Sequence, residues 1–198
     1  MSIKTKELHS VNRWSDLMVM LNNHDPYTYE HSCRVAQLLK DFALYLHYPV
    51  QGAEVLYQIG YLHDLGKLLV PIDVLRKKGR LNNKEWECVK GHPIEGRRIA
   101  ESHGVTDLFI LTAIEQHHEN LDGTGYPYSV SDREIYTFSR MLRIVDSYDA
   151  MVSKRQYSNS MLIAHAIEEL EQWKRSWYDP FLTDRFIELI RLKEIDID

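Results

Sequence analysis

The chain has 198 residues, 44% of them apolar and 27% charged, the composition of one compact globular unit rather than of a disordered or multidomain protein. Its 24 basic and 29 acidic side chains leave a net charge of −5, which excludes a broad electrostatic surface for DNA or RNA. No stretch approaches the ~20 apolar residues of a membrane span, residues 1–12 lack the apolar core of a signal peptide, and Cys33 and Cys88 cannot make a disulfide framework or a thiolate zinc site, so a cytoplasmic protein with no membrane insertion is expected.

Few β-branched runs, and apolar residues recurring every three or four positions, predict an all-α fold. A first helix over residues 11–21, with Trp14, Leu17 and Met18 inward, ends at the polar 22–26 break. Its outer face is a candidate surface for a homodimer. Thr28 is the expected cap of a second helix, which carries His31, Val35, Leu38, Phe42 and Leu46 on one face as far as Pro49. Residues 51–65 repeat the pattern through Val55, Leu56, Ile59, Leu62 and His63, and Gly66 stands where that helix would stop. Asn82 or Asn83 opens a helix bearing Trp86, which Gly91, His92 and Pro93 break. Leu108, Leu111 and Ile114 lead a helix over 106–118 into His117 and His118, and the glycine-rich 121–127 segment ends it. Phe138, Leu142, Val145, Asp149 and Val152 mark a long helix that includes Asp146, and helices over 160–176 and 180–192 complete the core. Residues 1–25 read as a helical extension and 26–198 as the main domain.

The candidates for chemistry are His31, His63-Asp64, His92, His117-His118 and Asp146, which follow one another at intervals of 25 to 32 residues, the length of one helix plus a connection. A helical bundle brings such groups from successive helices to one interior point. Five histidines and two aspartates are too many for one tetrahedral ion. Imidazole and carboxylate without thiolate suit iron, manganese or zinc, and one carboxylate can bridge two ions at the ~3.5–4 Å separation of binuclear hydrolytic sites, so a two-metal centre is expected. Asp64 buried and unpaired would cost several kcal/mol, which a divalent ion offsets. Lys67 adds a cation one turn away, and Gly66 between them is expected to leave room for a ligand. A single inward histidine is more often a hydrogen-bonded core residue than a ligand; it is the set that points to metal. His9, His24, His47, His103 and His165 fall outside that set and read as surface or interhelical residues, and Trp173, Trp177 and Phe181 as core or interface.

His63-Asp64-Leu65-Gly66-Lys67, followed by His117-His118-Glu119-Asn120-Leu121-Asp122-Gly123-Thr124-Gly125-Tyr126-Pro127, resembles the HD-GYP family of the HD metal-dependent phosphohydrolases. Support runs from Thr28 and His31 through Trp86, His92-Pro93 and Gly96 to Arg143, Asp146, Asp149 and Asp179-Pro180, so the resemblance covers roughly residues 26 to 190. It implies an HD-domain helical bundle with a binuclear metal site in its interior. It also implies that His31, His63, Asp64 and Asp146 hold one metal, that His92, His117 and His118 hold the second, and that Asp64 bridges both, iron or manganese being the usual ions. The activity implied is a phosphodiesterase that opens cyclic dimeric GMP to the linear dinucleotide pGpG, and onward to GMP, with a hydroxide bridging the ions as nucleophile. Asp64 and Lys67 would be its catalytic residues, Lys67 and Arg155 contacting the substrate. The loop carrying Asp122, Gly123, Gly125, Tyr126 and Pro127 would lie beside the site and also serve as a docking place for a protein partner. Two divalent ions against Asp64 and Asp146 leave about +2 locally, which attracts a phosphodiester despite the overall charge.

Some positions depart from the family pattern. Tyr27 stands where the trinuclear members carry a glutamate ligand, which implies two metals. Gln156 and Ser158 follow Arg155 where proline and a basic residue are usual, and Ser129 stands where glycine is usual. They raise two alternatives, a catalytically weak cyclic-dinucleotide-binding or interaction module and an HD-superfamily phosphohydrolase of another nucleotide.

Overall fold

The computed structural model describes residues 14–153 and 163–195. Among them are ten α-helices and no strand, as the periodicity predicts. In chain order these are α1 (Trp14–His24), α2 (Pro26–Tyr45), α3 (Val50–Leu62), α4 (Ile72–Leu75), α5 (Asn83–Lys90), α6 (His92–Ser102), α7 (Leu108–Gln116), α8 (Thr137–Val152), α9 (Ile163–Gln172) and α10 (Pro180–Ile195), with 3-10 turns at Leu65–Leu69 and Asp132–Glu134. None is long and apolar enough to cross a membrane.

The cap of α2 is Asp25, not Thr28 as the sequence suggested. Pro26 has no N–H to leave unsatisfied at the first helical position, so the helix starts there, and Asp25 Oδ2 accepts from Thr28 N at 3.3 Å and from Thr28 Oγ1 at 2.7 Å. The expected opening of α5 at Asn82 is a capping box: Asn82 Oδ1 accepts from Glu85 N at 3.0 Å and Glu85 Oε2 accepts from Asn82 N at 2.7 Å. Gly91 alone separates α5 from α6, and Pro93 is tolerated because it falls in the first turn of α6.

One core joins all the long helices. Leu17, Met18 and Leu21 of α1 are fully buried in it alongside Val35, Leu39 and Phe42 of α2. Phe42, Tyr148 of α8 and Phe186 of α10 meet edge to face, at 5.2 and 5.3 Å between centroids. Each such ring or Leu side chain contributes roughly 1.5–3 kcal/mol by burial.

Two glycines set the helix positions that matter for chemistry. Where α3 crosses α2, a Cβ on Gly60 would lie 2.7 Å from Ala36 Cα, so only glycine lets the backbones touch. Gly66 does the same one turn later: its Cβ would lie 2.0 Å from His92 O and 2.6 Å from Gly96 N. The sequence reading gave Gly66 the job of ending a helix and leaving room for a ligand. Instead α3 ends earlier, at Leu62, and the space beside Gly66 is filled by the backbone of α6.

Candidate metal centre

The fold brings together all seven side chains singled out as ligands. His31 lies on α2, His63 caps the C-terminus of α3, Asp64 precedes the Leu65–Leu69 turn, His92 begins α6, His117 caps α7 with His118 next, and Asp146 lies within α8. All except His118 are buried. Nitrogen and oxygen atoms of His31, His63 and Asp64 lie within 4.8 Å of one another, and so do those of His92, His117 and His118. Asp64 stands between the two groups: its Oδ2 is 3.4 Å from His63 Nε2 and its Oδ1 3.2 Å from His92 Nε2. Asp146 Oδ1 is 2.9 Å from His31 Nε2 and 3.7 Å from His63 Nε2.

The hydrogen bonds fix what these atoms can do. His63, His92 and His117 each turn Nδ1 to a carbonyl three residues back, Gly60 O at 2.7 Å, Val89 O at 2.7 Å and Ile114 O at 2.6 Å. A carbonyl only accepts, so Nδ1 carries the hydrogen and Nε2 presents a lone pair to the interior. His92 Nε2 and His117 Nε2 then face each other at 3.1 Å with no hydrogen between them. Burial pushes the pKa of His92 down. It pushes His117 and His118 well down, with help from the neighbouring imidazoles, so a shared proton does not resolve the conflict. His63 Nε2 and Asp64 Oδ1 are buried without a hydrogen-bond partner. Two donors each about 2.1 Å from one ion sit roughly 3.0–3.5 Å apart, the spacing seen here. Lone pairs and anions converging without protons are a donor set for cations, and the residues fit a metal centre with two neighbouring donor groups.

His31 differs. Its Nδ1 donates to Asp149 Oδ2 at 2.7 Å and its Nε2 meets Asp146 at 2.9 Å. Burial alone would lower its pKa, but the bonds to Asp146 and Asp149 raise it to about 9 when no cation competes for Nε2. Burial likewise opposes ionisation of Asp64 and Asp146, yet both stay well below the usual carboxylate range. For Asp64 the cause is the charge of Lys67 first and the adjacent imidazoles next; for Asp146 it is the hydrogen bond with His31 first and the nearby His63 imidazole next.

Of the residues expected to meet substrate, Lys67 reaches the centre, with Nζ 2.6 Å from Asp64 Oδ2. Arg155 lies outside the described residues. Asp122 is exposed and folds its own loop, accepting from Thr124 N at 3.0 Å and Thr124 Oγ1 at 2.6 Å, while Gly123 takes a positive φ of 78°. Gly125 lies against the backbone of residues 118–120, where a Cβ would come within 2.4 Å of His118 O, and the Tyr126–Pro127 bond is cis. Tyr126 N donates to His118 O at 3.1 Å and the Tyr126 ring stacks on His118 at 4.7 Å and 26°.

Several partners were not given roles by the sequence reading. Asp149 holds His31 and is itself held by Arg34, Nε to Oδ1 at 2.8 Å and Nη2 to Oδ2 at 2.9 Å, with Ser153 Oγ adding a bond at 3.0 Å. A signal existed: Arg34 follows His31, and Asp149 follows Asp146, by three residues on one helix face. Asn120 ties the signature loop to α8 by accepting from Arg143 Nε and Nη2 at 3.2 and 3.1 Å, and Glu119 Oε1 accepts from Tyr128 N at 2.6 Å. Arg97 is paired with Glu115.

Residues 16–182 match the family model for the HD domain. This chain belongs to the HD-domain family. Within the family, its intact 117–127 motif makes it a domain of the HD-GYP type. Over 173 residues, 87% of its length, the HD domain is 33% identical to the cyclic di-GMP phosphodiesterase PA4108 of Pseudomonas aeruginosa, spanning 42% of that protein. Over 147 residues, 73% of its length, it is 35% identical to 3'3'-cGAMP-specific phosphodiesterase 1 of Vibrio cholerae, spanning 34% of it. The chain therefore spans less than half the length of these curated relatives. Among solved structures, Bd1817, an HDG"Y"P protein of Bdellovibrio bacteriovorus, shares the fold at TM-score 0.68 and 18% identity over 82% of this chain and 52% of that one. The PgpH HD domain of L. monocytogenes does so at TM-score 0.62 and 18% identity over 90% and 98%.

Proposed function

We propose that this HD domain is a metal-dependent cyclic dinucleotide phosphodiesterase of the cytoplasm, opening cyclic di-GMP to pGpG and onward to GMP. One observation carries the reading: seven imidazole and carboxylate groups converge, the imidazoles of His63, His92 and His117 with lone pairs inward, leaving His63 Nε2 and Asp64 Oδ1 buried and unpartnered. In this reading His31, His63, Asp64 and Asp146 hold one divalent ion and His92, His117 and His118 the other, with Asp64 shared and iron or manganese the fitting ions. When bound, the ions supply a nucleophilic water at neutral pH and offset charge on a phosphate oxygen.

The chain supplies the rest. Lys67 places a positive charge beside Asp64, where it can meet a phosphate oxygen as negative charge grows there. Asp149 keeps His31 in one tautomer and one orientation. Tyr126 covers His118 and narrows the access of bulk water. Arg155 is proposed to hold a phosphate or a guanine, and the Asp122 to Pro127 loop to form the rim where substrate or a protein partner docks.

Incubating anaerobically purified protein with cyclic di-GMP and either Mn(II) or Fe(II), then separating products by chromatography, tests the reading; pGpG is expected. Tight binding without product on both metals makes the domain a binding module instead. Preference for mononucleotides makes it another phosphohydrolase. Relatives of Vibrio cholerae named as 3'3'-cGAMP-specific, 35% and 34% identical, favour including that dinucleotide as a second substrate.

A further inference from the structure

Trp86 on α5 is 44% exposed, and a large indole left half in water calls for a use. Its ring neighbour is Tyr126, with centroids 6.1 Å apart and planes at 74°. Tyr126 in turn stacks on His118, one of the three clustered histidines. Three rings thus run in series from the metal centre to solvent, Trp86 being the outermost.

The indole is also held in place. The Asn82–Glu85 capping box and the Lys77 pair with Glu85, at 2.6 Å, anchor the start of α5. At its other end Gly91 joins α5 directly to His92 of α6, so Trp86 and a ligand of the centre share one short, continuous support. The remaining exposed rings among the described residues do not compete: Tyr128 is tied back to α7, its hydroxyl donating to Glu115 Oε1 at 2.6 Å. Phe109 and Tyr136 cluster with Phe138 at the start of α8, more than two helical turns from Asp146, and Phe181 begins α10.

We propose that Trp86 is a nucleobase-stacking platform at the mouth of the centre, taking one purine of a cyclic dinucleotide whose phosphodiester lies at the clustered histidines and aspartates. The proposal rests on the phosphodiesterase reading for where the phosphate sits. A cyclic dinucleotide carries its bases outward from the sugar–phosphate ring, so a phosphate on the floor of the site leaves a base at the rim. Every base has a π-face, and an aromatic side chain offers stacking without choosing among purines.

The test compares two probes on Mn(II)-loaded protein by calorimetry: the bis-phosphorothioate analogue of cyclic di-GMP, which resists hydrolysis, and inorganic phosphate, which has no base. In Trp86→Ala the ratio of the analogue's Kd to that of phosphate is expected to rise roughly ten- to hundredfold, the worth of one stacked base. Trp86→Phe should fall between, and Phe181→Ala, an exposed ring elsewhere, should leave the ratio alone. An unchanged ratio in Trp86→Ala overturns the platform, and so does a parallel loss of both affinities, which would mean a structural role. Wild-type protein that binds no analogue overturns platform and phosphodiesterase together. Binding without turnover of cyclic di-GMP overturns only the phosphodiesterase, and the ratio still decides for Trp86.

Discussion

Replacing Asp149 with asparagine probes the centre without touching any of the seven residues proposed as ligands. Asp149 is 2% exposed, and each of its oxygens faces donors: Oδ1 accepts from Arg34 Nε, and Oδ2 from Arg34 Nη2, His31 Nδ1 and Ser153 Oγ. Asparagine keeps the shape but turns one acceptor into an NH₂ donor, so it confronts either the guanidinium or the His31–Ser153 side with a like partner. Arg34 is 40% exposed and can turn to water, which leaves most of the loss on the orientation of His31. Losing such a carboxylate behind a metal-binding imidazole typically costs about 10–100-fold in metal affinity, or about 1.4–2.7 kcal/mol. Of the two equivalents proposed, the effect should fall on one, because His92, His117 and His118 do not touch Asp149. Titrating Mn(II) into metal-free protein and following the free-ion signal by electron paramagnetic resonance reads both equivalents. Arg34→Met, which leaves Asp149 able to accept from His31, should weaken binding less. Two equivalents bound by Asp149→Asn as tightly as by wild type would refute the reasoning.

His63→Ala should empty the metal site and abolish hydrolysis; retained metal by elemental analysis together with full turnover would remove His63 from the centre. Gly66→Ala forces a methyl to 2.0 Å from His92 O, and because the obstacle is backbone the loss should reach the upper end of overpacking, about 3 kcal/mol in urea denaturation. An unchanged midpoint would contradict the close approach of the Leu65–Leu69 turn to α6. Glu85 has its pKa lowered, first by the Lys77 hydrogen bond and then by the Asn82 N–H. A depressed carboxylate stabilises the fold above its unfolded pKa and loses that stabilisation as pH falls through the folded value. The thermal midpoint of Glu85→Gln should therefore trail wild type at neutral pH and converge with it as the pH falls below the ordinary glutamate range and through the lowered value of the folded state; a gap that persists in strong acid would assign the loss to shape rather than charge.

Much of this was legible in the chain. Apolar spacing of three and four places Val35, Phe42, Leu56, Ile59, Leu142 and Val145 inward in helices close to those observed, because a helix buries whichever face repeats. Histidine and aspartate beside such stripes stand out because the interior otherwise rejects them. The missed features depend on contacts remote in sequence. Thr28 and Asp25 are both good caps, and only the missing N–H of Pro26 decides between them. Gly66 looks like any helix-ending glycine until α6 is laid against it. Nothing local connects Asp149, which the sequence reading used only to mark the long helix and the family resemblance, to Arg34; their meaning comes from a pairing across 115 residues.

The arrangement of imidazoles also explains why so many of the grouped residues stand at helix boundaries. The last turn of a helix leaves carbonyls without intrahelical partners. His63, His117 and His92 follow the last turns of α3, α7 and α5, and each donates its Nδ1 hydrogen to a carbonyl of that turn, Gly60 O, Ile114 O or Val89 O. The same bond closes the helix and fixes the tautomer, so Nε2 turns inward with its lone pair as a consequence of ending the helix there. Three repetitions place three lone pairs in one buried space, where they repel one another until a cation arrives. Stability and ion affinity therefore share one set of hydrogen bonds, and a substitution at any of these histidines releases a helix end as well as a donor.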